Sequence, residues 1–202
     1  MPSKLLFLPG ASGNTQFWRP LADLLPDRAD KVHVGWPGFG PTPPDPEVHG
    51  IDGLVARVVA EIDRPSALIA QSMGGVVAIL AALARPELVT HLVLSVTSGG
   101  VDMSGFGAQD WRPSFEASNP SLPRWFSDHR DDLAPRLRAV TAPALLLWGD
   151  ADPFSPVPVG QRLASWLPGA QLHVVPGGQH DLGQACAHVV APLVRAHLWG
   201  TV

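Results

Sequence analysis

The 202-residue chain carries six short apolar runs, at residues 5–8, 32–34, 67–70, 91–96, 144–148 and 172–175. Each is apolar through most of its length. A strand with one face in water alternates apolar and polar residues, so an unbroken run fits a strand covered on both faces, as in a parallel sheet. Helix-like stretches lie between the runs. Residues 16–25 bear Phe17, Leu21, Leu24 and Leu25 at helical spacing and stop at Pro26. Residues 51–62 bear Leu54, Val55, Val58, Val59 and Ile62 along one stripe, and 73–84 is apolar nearly all round, with Pro86 just beyond. Stretches 159–167 and 182–199 complete the set, and Pro192 is expected to bend or interrupt the last. This alternation predicts a doubly wound α/β fold with six parallel strands.

At this length one domain is expected, residues 1–202. Hydrophobic residues make up 46% and charged residues 16%, the latter below the usual figure of about 25%, so a sizeable core can form. The formal charge of −4 comes with no basic run, which speaks against a nucleic-acid partner. A single cysteine, Cys186, excludes an intrachain disulfide; it lies on an apolar stripe and reads as a core residue. No apolar run approaches the roughly 18 residues of a membrane span. The run at 5–8 is also shorter than the roughly 7–15 residues of a signal-peptide core, so a cytoplasmic protein with no membrane partner is expected. Nothing in the sequence specifies an oligomeric state.

One segment breaks the rhythm. Residues 101–139 are too long for a simple crossover and contain Phe106, Trp111, Phe115, Trp125 and Phe126, five of the chain's 14 Phe and Trp residues. Insertions of this length are often lids over a site. The aromatics suit an apolar substrate wall, with Trp111, Phe115, Trp125 and Phe126 as candidate pocket residues. They equally suit packing of a small lid onto the body.

The chemistry gathers where strands end. Ser72, in Ile69-Ala70-Gln71-Ser72-Met73-Gly74-Gly75, follows an apolar strand and opens an apolar helix. A nucleophile on such a sharp turn needs small neighbours two residues away on either side, and here they are Ala70 and Gly74. The helix N-terminus supplies free N–H groups for developing negative charge. A serine there also serves as a plain helix cap. The fifth run leads into Gly149-Asp150-Ala151-Asp152, and the sixth into Gly177-Gly178-Gln179-His180. Asp152 as a turn former and His180 as a surface histidine are ordinary readings taken singly. All three at strand ends, in the order Ser, Asp, His, coincide rarely by accident. Metal chemistry has little support: Asp150 and Asp152 lack a third ligand at useful spacing, and His173, His180 and His188 lack helical zinc spacing. Gly10-Ala11-Ser12-Gly13 lacks the lysine of a phosphate loop. No cofactor is expected.

With Leu8-Pro9-Gly10-Ala11-Ser12-Gly13, Trp36-Pro37-Gly38-Phe39-Gly40 and the three motifs above, the chain resembles the α/β-hydrolase superfamily over essentially its whole length. The resemblance implies Ser72 as nucleophile, His180 as its general base and Asp152 as the acid that orients the histidine. It implies an oxyanion hole from the backbone N–H groups of Ala11 and Met73. Asp150 and, more rarely, Asp102 are competing acid positions. Ala70 stands where the elbow usually has glycine, and Pro9 where many members have histidine. Only four residues precede Leu5, so the expected sheet lacks the family's first two strands and runs in the order 2-1-3-4-5-6. Residues 101–139 would be the lid.

The activity expected on this basis is hydrolysis of a small carboxylic ester or related acyl bond through an acyl-enzyme. A triad-bearing carbon–carbon hydrolase or lyase is the alternative, which an arginine-bearing polar pocket would favour. A non-catalytic binding protein on the same scaffold is the third reading, and failure of Ser72 to react with a fluorophosphonate would favour it.

Overall fold

In the computed structural model, which describes residues 1–120, 122–129 and 132–200, the six apolar runs pair side by side as one parallel sheet. The strands are β1 (Lys4–Leu8), β2 (Asp30–His33), β3 (Ser66–Gln71), β4 (Val89–Ser95), β5 (Ala144–Gly149) and β6 (Gln171–Val175). Their order across the sheet is β2-β1-β3-β4-β5-β6, with every neighbouring pair parallel. β1, β3 and β5 are buried throughout, which is why their sequences carry no polar alternation.

Both faces of the sheet are covered. Leu6 and Leu8 of β1 point into a cluster with helix α2 (Ile51–Glu61), α3 (Met73–Ala84) and α6 (Val157–Trp166). Leu5 and Phe7 point the other way, toward α1 (Arg19–Leu24), α7 (Leu182–Ala185) and α8 (Ala187–Trp199). α3 buries nine of its residues, from Met73 through Ala82, as expected of a helix with no polar face.

Two helix expectations need correction. The first helix starts at Arg19, not residue 16: Asn14 accepts the Gln16 N–H through its side chain at 2.9 Å and holds the preceding residues in turns. Pro20 then occupies the first helical turn, where a missing N–H costs nothing. The last stretch does break, but at Cys186, whose backbone leaves the helix (φ −107°, ψ 27°). Pro192 lies inside α8, which runs unbroken to Trp199. Cys186 is half-buried at that junction, packed on the edge of the core.

Between β4 and β5, the described part of 101–139 holds α4 (Arg112–Ser118), α5 (Arg124–Asp128) and a 3₁₀ helix at Ala134–Ala139. Residues 121, 130 and 131 of that segment, and 201–202, lie outside the described residues. Among the described residues no helix is long and apolar enough to cross a membrane.

Candidate active site

A parallel sheet brings the ends of all its strands to one edge, and here the loops after β1, β3, β5 and β6 meet there. β3 ends at Gln71 and α3 begins at Met73, so Ser72 must reverse the chain in a single residue. It does so at φ 52°, ψ −121°, a strained conformation for a non-glycine residue. The turn is tight enough that a Cβ on Gly74 would lie 2.5 Å from the Pro9 carbonyl oxygen, which accounts for glycine at that position. On the opposite side the buried Thr97 hydroxyl donates to the Ser72 carbonyl at 2.6 Å and accepts the Gly99 N–H at 3.0 Å.

His180 lies between Ser72 and Asp152. Its Nδ1 is 2.8 Å from Asp152 Oδ2 and its Nε2 is 3.1 Å from Ser72 Oγ. A carboxylate only accepts, so Nδ1 carries the proton, and Nε2 is left to accept from the serine hydroxyl. The Asp152 side chain is fully buried, and its second oxygen accepts the Phe154 N–H at 2.8 Å. Both carboxylate oxygens therefore have partners, as a buried charge requires. Phe154 packs edge-on against the His180 ring, centroids 5.4 Å apart. The competing acids are engaged elsewhere. Asp150 Oδ1 accepts the Gly177 N–H at 2.6 Å. Asp102 accepts from the Ser104 N–H and hydroxyl, both at 2.9 Å, which holds its carboxyl below the usual range.

The first loop is held by two tryptophans. Trp18 Nε1–H donates to the Leu8 carbonyl at 3.0 Å, and Trp36 Nε1–H to the Pro9 carbonyl at 2.9 Å; both indoles are buried. These bonds fix the peptide planes just before Gly10-Ala11, where Pro9 itself offers no N–H. Among the described residues neither the Ala11 nor the Met73 N–H has a hydrogen-bond partner, and both residues line a cavity next to Ser72.

That cavity has a volume of about 440 Å³, within the usual range for small-ligand sites. Ser72 and His180 line it; Phe17, Met103, Trp111, Phe115, Phe126 and Phe154 supply an apolar side, and Ser12, Ser98, Ser114, Ser118 and Asn119 supply polar groups. Among the described residues its only ionisable side chains are His180 and Asp181. Trp111, Phe115 and Phe126 form a mutually packed cluster, with centroids 5.1 to 5.8 Å apart. Trp125 is not part of the lining: it packs edge-on against Phe39 at 5.7 Å, behind Phe126. Val96, which also lines the cavity, is the other described non-glycine residue at positive φ, 42°. Thr97, Val96, Phe154 and Trp18 add to the residues that the sequence motifs point to. The dipeptide Ser95-Val96 followed by Thr97-Ser98-Gly99-Gly100, at the end of the strand beside the one that carries Ser72, is the available signal.

The family model described as "Alpha/beta hydrolase family" matches residues 5–135. A 2-hydroxy-6-oxononadienedioate/2-hydroxy-6-oxononatrienedioate hydrolase of Cupriavidus pinatubonensis is 27% identical, over 82% of this chain and 75% of the relative. A thermophilic esterase from Thermogutta terrifontis superposes with a TM-score of 0.78 at 18% identity, covering 96% of this chain and 89% of its own. A meta-cleavage product hydrolase from Pseudomonas fluorescens IP01 superposes with a TM-score of 0.77 at 19% identity, covering 98% and 91%. The two structures share the fold, and their names describe two different chemistries.

Proposed function

Because the chain belongs to the α/β-hydrolase family, we propose that it is a serine hydrolase acting on a small, uncharged carboxylic ester, with Ser72, His180 and Asp152 as its triad. The observation that carries this reading is the His180 ring bonded at one nitrogen to a buried carboxylate and at the other to a hydroxyl on a strained turn. Ser72 Oγ attacks the acyl carbon as its proton passes to His180 Nε2. The tetrahedral oxyanion accepts from the Ala11 and Met73 N–H groups. Asp152 stabilises the imidazolium, which then protonates the leaving alkoxide. Water, deprotonated by His180, attacks the acyl-enzyme and releases the acid. The segment 101–139 acts as a lid whose Trp111, Phe115 and Phe126 contact the acyl or alcohol group. No cofactor enters this chemistry.

The lining favours an uncharged substrate, because among the described residues it carries no cationic side chain and a substrate carboxylate would have only neutral donors such as Ser12, Ser98 and Asn119. The second reading, carbon–carbon hydrolysis, is favoured by the relative from Cupriavidus pinatubonensis, whose named substrates are dicarboxylates. A fluorophosphonate should label wild type at Ser72 with 1:1 stoichiometry, and Ser72→Ala should remove the label while the melting temperature is kept. Turnover of p-nitrophenyl acetate and butyrate above that of a 2-hydroxy-6-oxo-dienoate selects the ester. The reverse order selects the carbon–carbon reading, and stoichiometric labelling of Ser72→Ala removes the serine from either.

A further inference from the structure

We infer that Gln71 is a positioning residue for His180: its side-chain amide holds the histidine's own peptide so that the imidazole reaches Ser72 and Asp152 together. The inference rests on the serine-hydrolase reading above. Two things must be fixed for an imidazole to bridge a hydroxyl and a carboxylate. One is the ring's rotation, which the bond to Asp152 sets. The other is the position of its backbone, which belongs to the loop between Val175 and Leu182.

That loop is tied to the body at its start. The Gly177 N–H donates to Asp150, and the Ala151 N–H donates to the Gly178 carbonyl at 3.0 Å. At its far end the Leu182 N–H turns back onto Gln179. At His180 itself, the Gln71 Nε2–H donates to the carbonyl oxygen at 3.1 Å. Among the described residues no other side chain is bonded to this peptide group.

Gln71 is suited to the task by where it stands. It is the last residue of β3, directly before the nucleophile, and only 6% exposed. The carbonyl end of its amide lies on Gly10, where an added Cβ would collide with Gln71 Oε1 and would also come within 3.2 Å of Ser72 Cβ. Boxed in on that side, the amide presents its N–H to His180. One residue thus touches the first loop, adjoins the nucleophile and holds the histidine, so a movement of any of the three is shared by the others. A purely structural bond would fasten the loop without setting the Ser72–His180 distance, and the two roles separate experimentally.

Gln71→Met keeps chain length and the packing on Gly10 but removes the donor. Gln71→Glu keeps the shape and sets an acceptor against an acceptor once ionised, whereas its protonated form donates again. Kcat and KM for p-nitrophenyl acetate should be measured per site titrated with a fluorophosphonate, together with melting temperatures. Gln71→Met should lower kcat and the labelling rate by roughly ten- to a hundredfold, the cost of a misplaced reacting group, with KM little changed. Gln71→Glu should recover part of its kcat relative to wild type as pH falls. Wild-type kcat per titrated site in both variants, with or without a lowered melting temperature, overturns the inference. A wild-type protein that takes no label at Ser72 instead overturns the serine-hydrolase reading on which it rests.

Discussion

Asp150 and Asp152 stand two residues apart after β5, and the backbone turns their carboxylates to different partners. Asp152 is buried with one oxygen on His180 and the other on the Phe154 N–H. Asp150 is exposed and fastens the loop at Gly177. Replacing Asp152 with asparagine lets the ring meet an amide in place of a carboxylate, so the imidazolium loses its stabilising charge and the Nδ1 tautomer is no longer enforced. Asp152→Asn should therefore lower turnover by about 10⁴-fold, as loss of the equivalent partner does in serine proteases. Asp150→Asn should cost far less, and chiefly in melting temperature, since an amide oxygen still accepts the Gly177 N–H. Steady-state kinetics on both variants check the ranking; equal losses, or the reverse order, would reassign the acid. Strain at single residues points to the same place. Ser72 and Val96 are the two described non-glycine residues at positive φ, both line the cavity, and such outliers persist where the surroundings impose them.

At the scale of elements, the aromatics of residues 101–139 divide into two groups. Trp111 faces the cavity and stacks on Phe126, with centroids 5.1 Å apart; Trp125 lies behind, against Phe39. Trp111→Ala should shift the preference between short and aromatic acyl groups by about 1–3 kcal/mol, the reach of apolar discrimination. Trp125→Ala should lower the melting temperature and scale kcat/KM for all esters alike. A graded p-nitrophenyl ester series on both variants tests this, and a selectivity change in Trp125→Ala alone would invert the assignment. The sequence could place all five aromatics in one segment but could not orient them, because α4 and α5 are too short for periodicity to define a face. The strands were legible because each apolar run is long enough to need cover on both sides. The break at Cys186 was not, because its setting is tertiary: Leu182 and Gly183 are buried, with Gly183 so close to the Trp18 ring that an added Cβ would collide with it, before α8 sets off. Proline is the usual breaker, yet Pro192 is carried within α8. In the site, Ser72, Asp152 and His180 were legible from strand–turn context. The bonds from Gln71, Trp18 and Trp36 join positions distant in the chain and leave no local pattern.

At the scale of the whole molecule, three histidines remote from Ser72 and His180 link folding to pH. His91 on β4 packs edge-on against His197 of α8, centroids 5.1 Å apart, and its Nδ1 meets the Thr90 hydroxyl. Burial first, then the His197 ring and the N-terminal ammonium, lower its pKa to about 4. Burial also lowers His197, against the opposing pull of the Leu92 and Pro143 carbonyls. His33, stacked on Phe7 at 4.7 Å, is lowered by burial and by Arg19 and Lys31, with Asp23 opposing. Each of these groups holds fewer protons folded than unfolded. Their contribution to stability is therefore fully present above the unfolded value of about 6.5 and is lost as pH falls toward the folded value. For His91 the window runs from about pH 6.5 down to about 4. The carboxylates of Asp27, Asp63, Glu87 and Asp102 are lowered too. Their contribution is lost only at more acid pH, so the two sets separate along the pH axis. Urea midpoints should fall steadily between pH 6.5 and 4 in wild type, and His91→Gln should flatten that decline while leaving the decline below pH 4 in place. An unchanged slope in His91→Gln between pH 6.5 and 4 would show that the pair at β4 and α8 does not govern acid stability, leaving His33 to account for it.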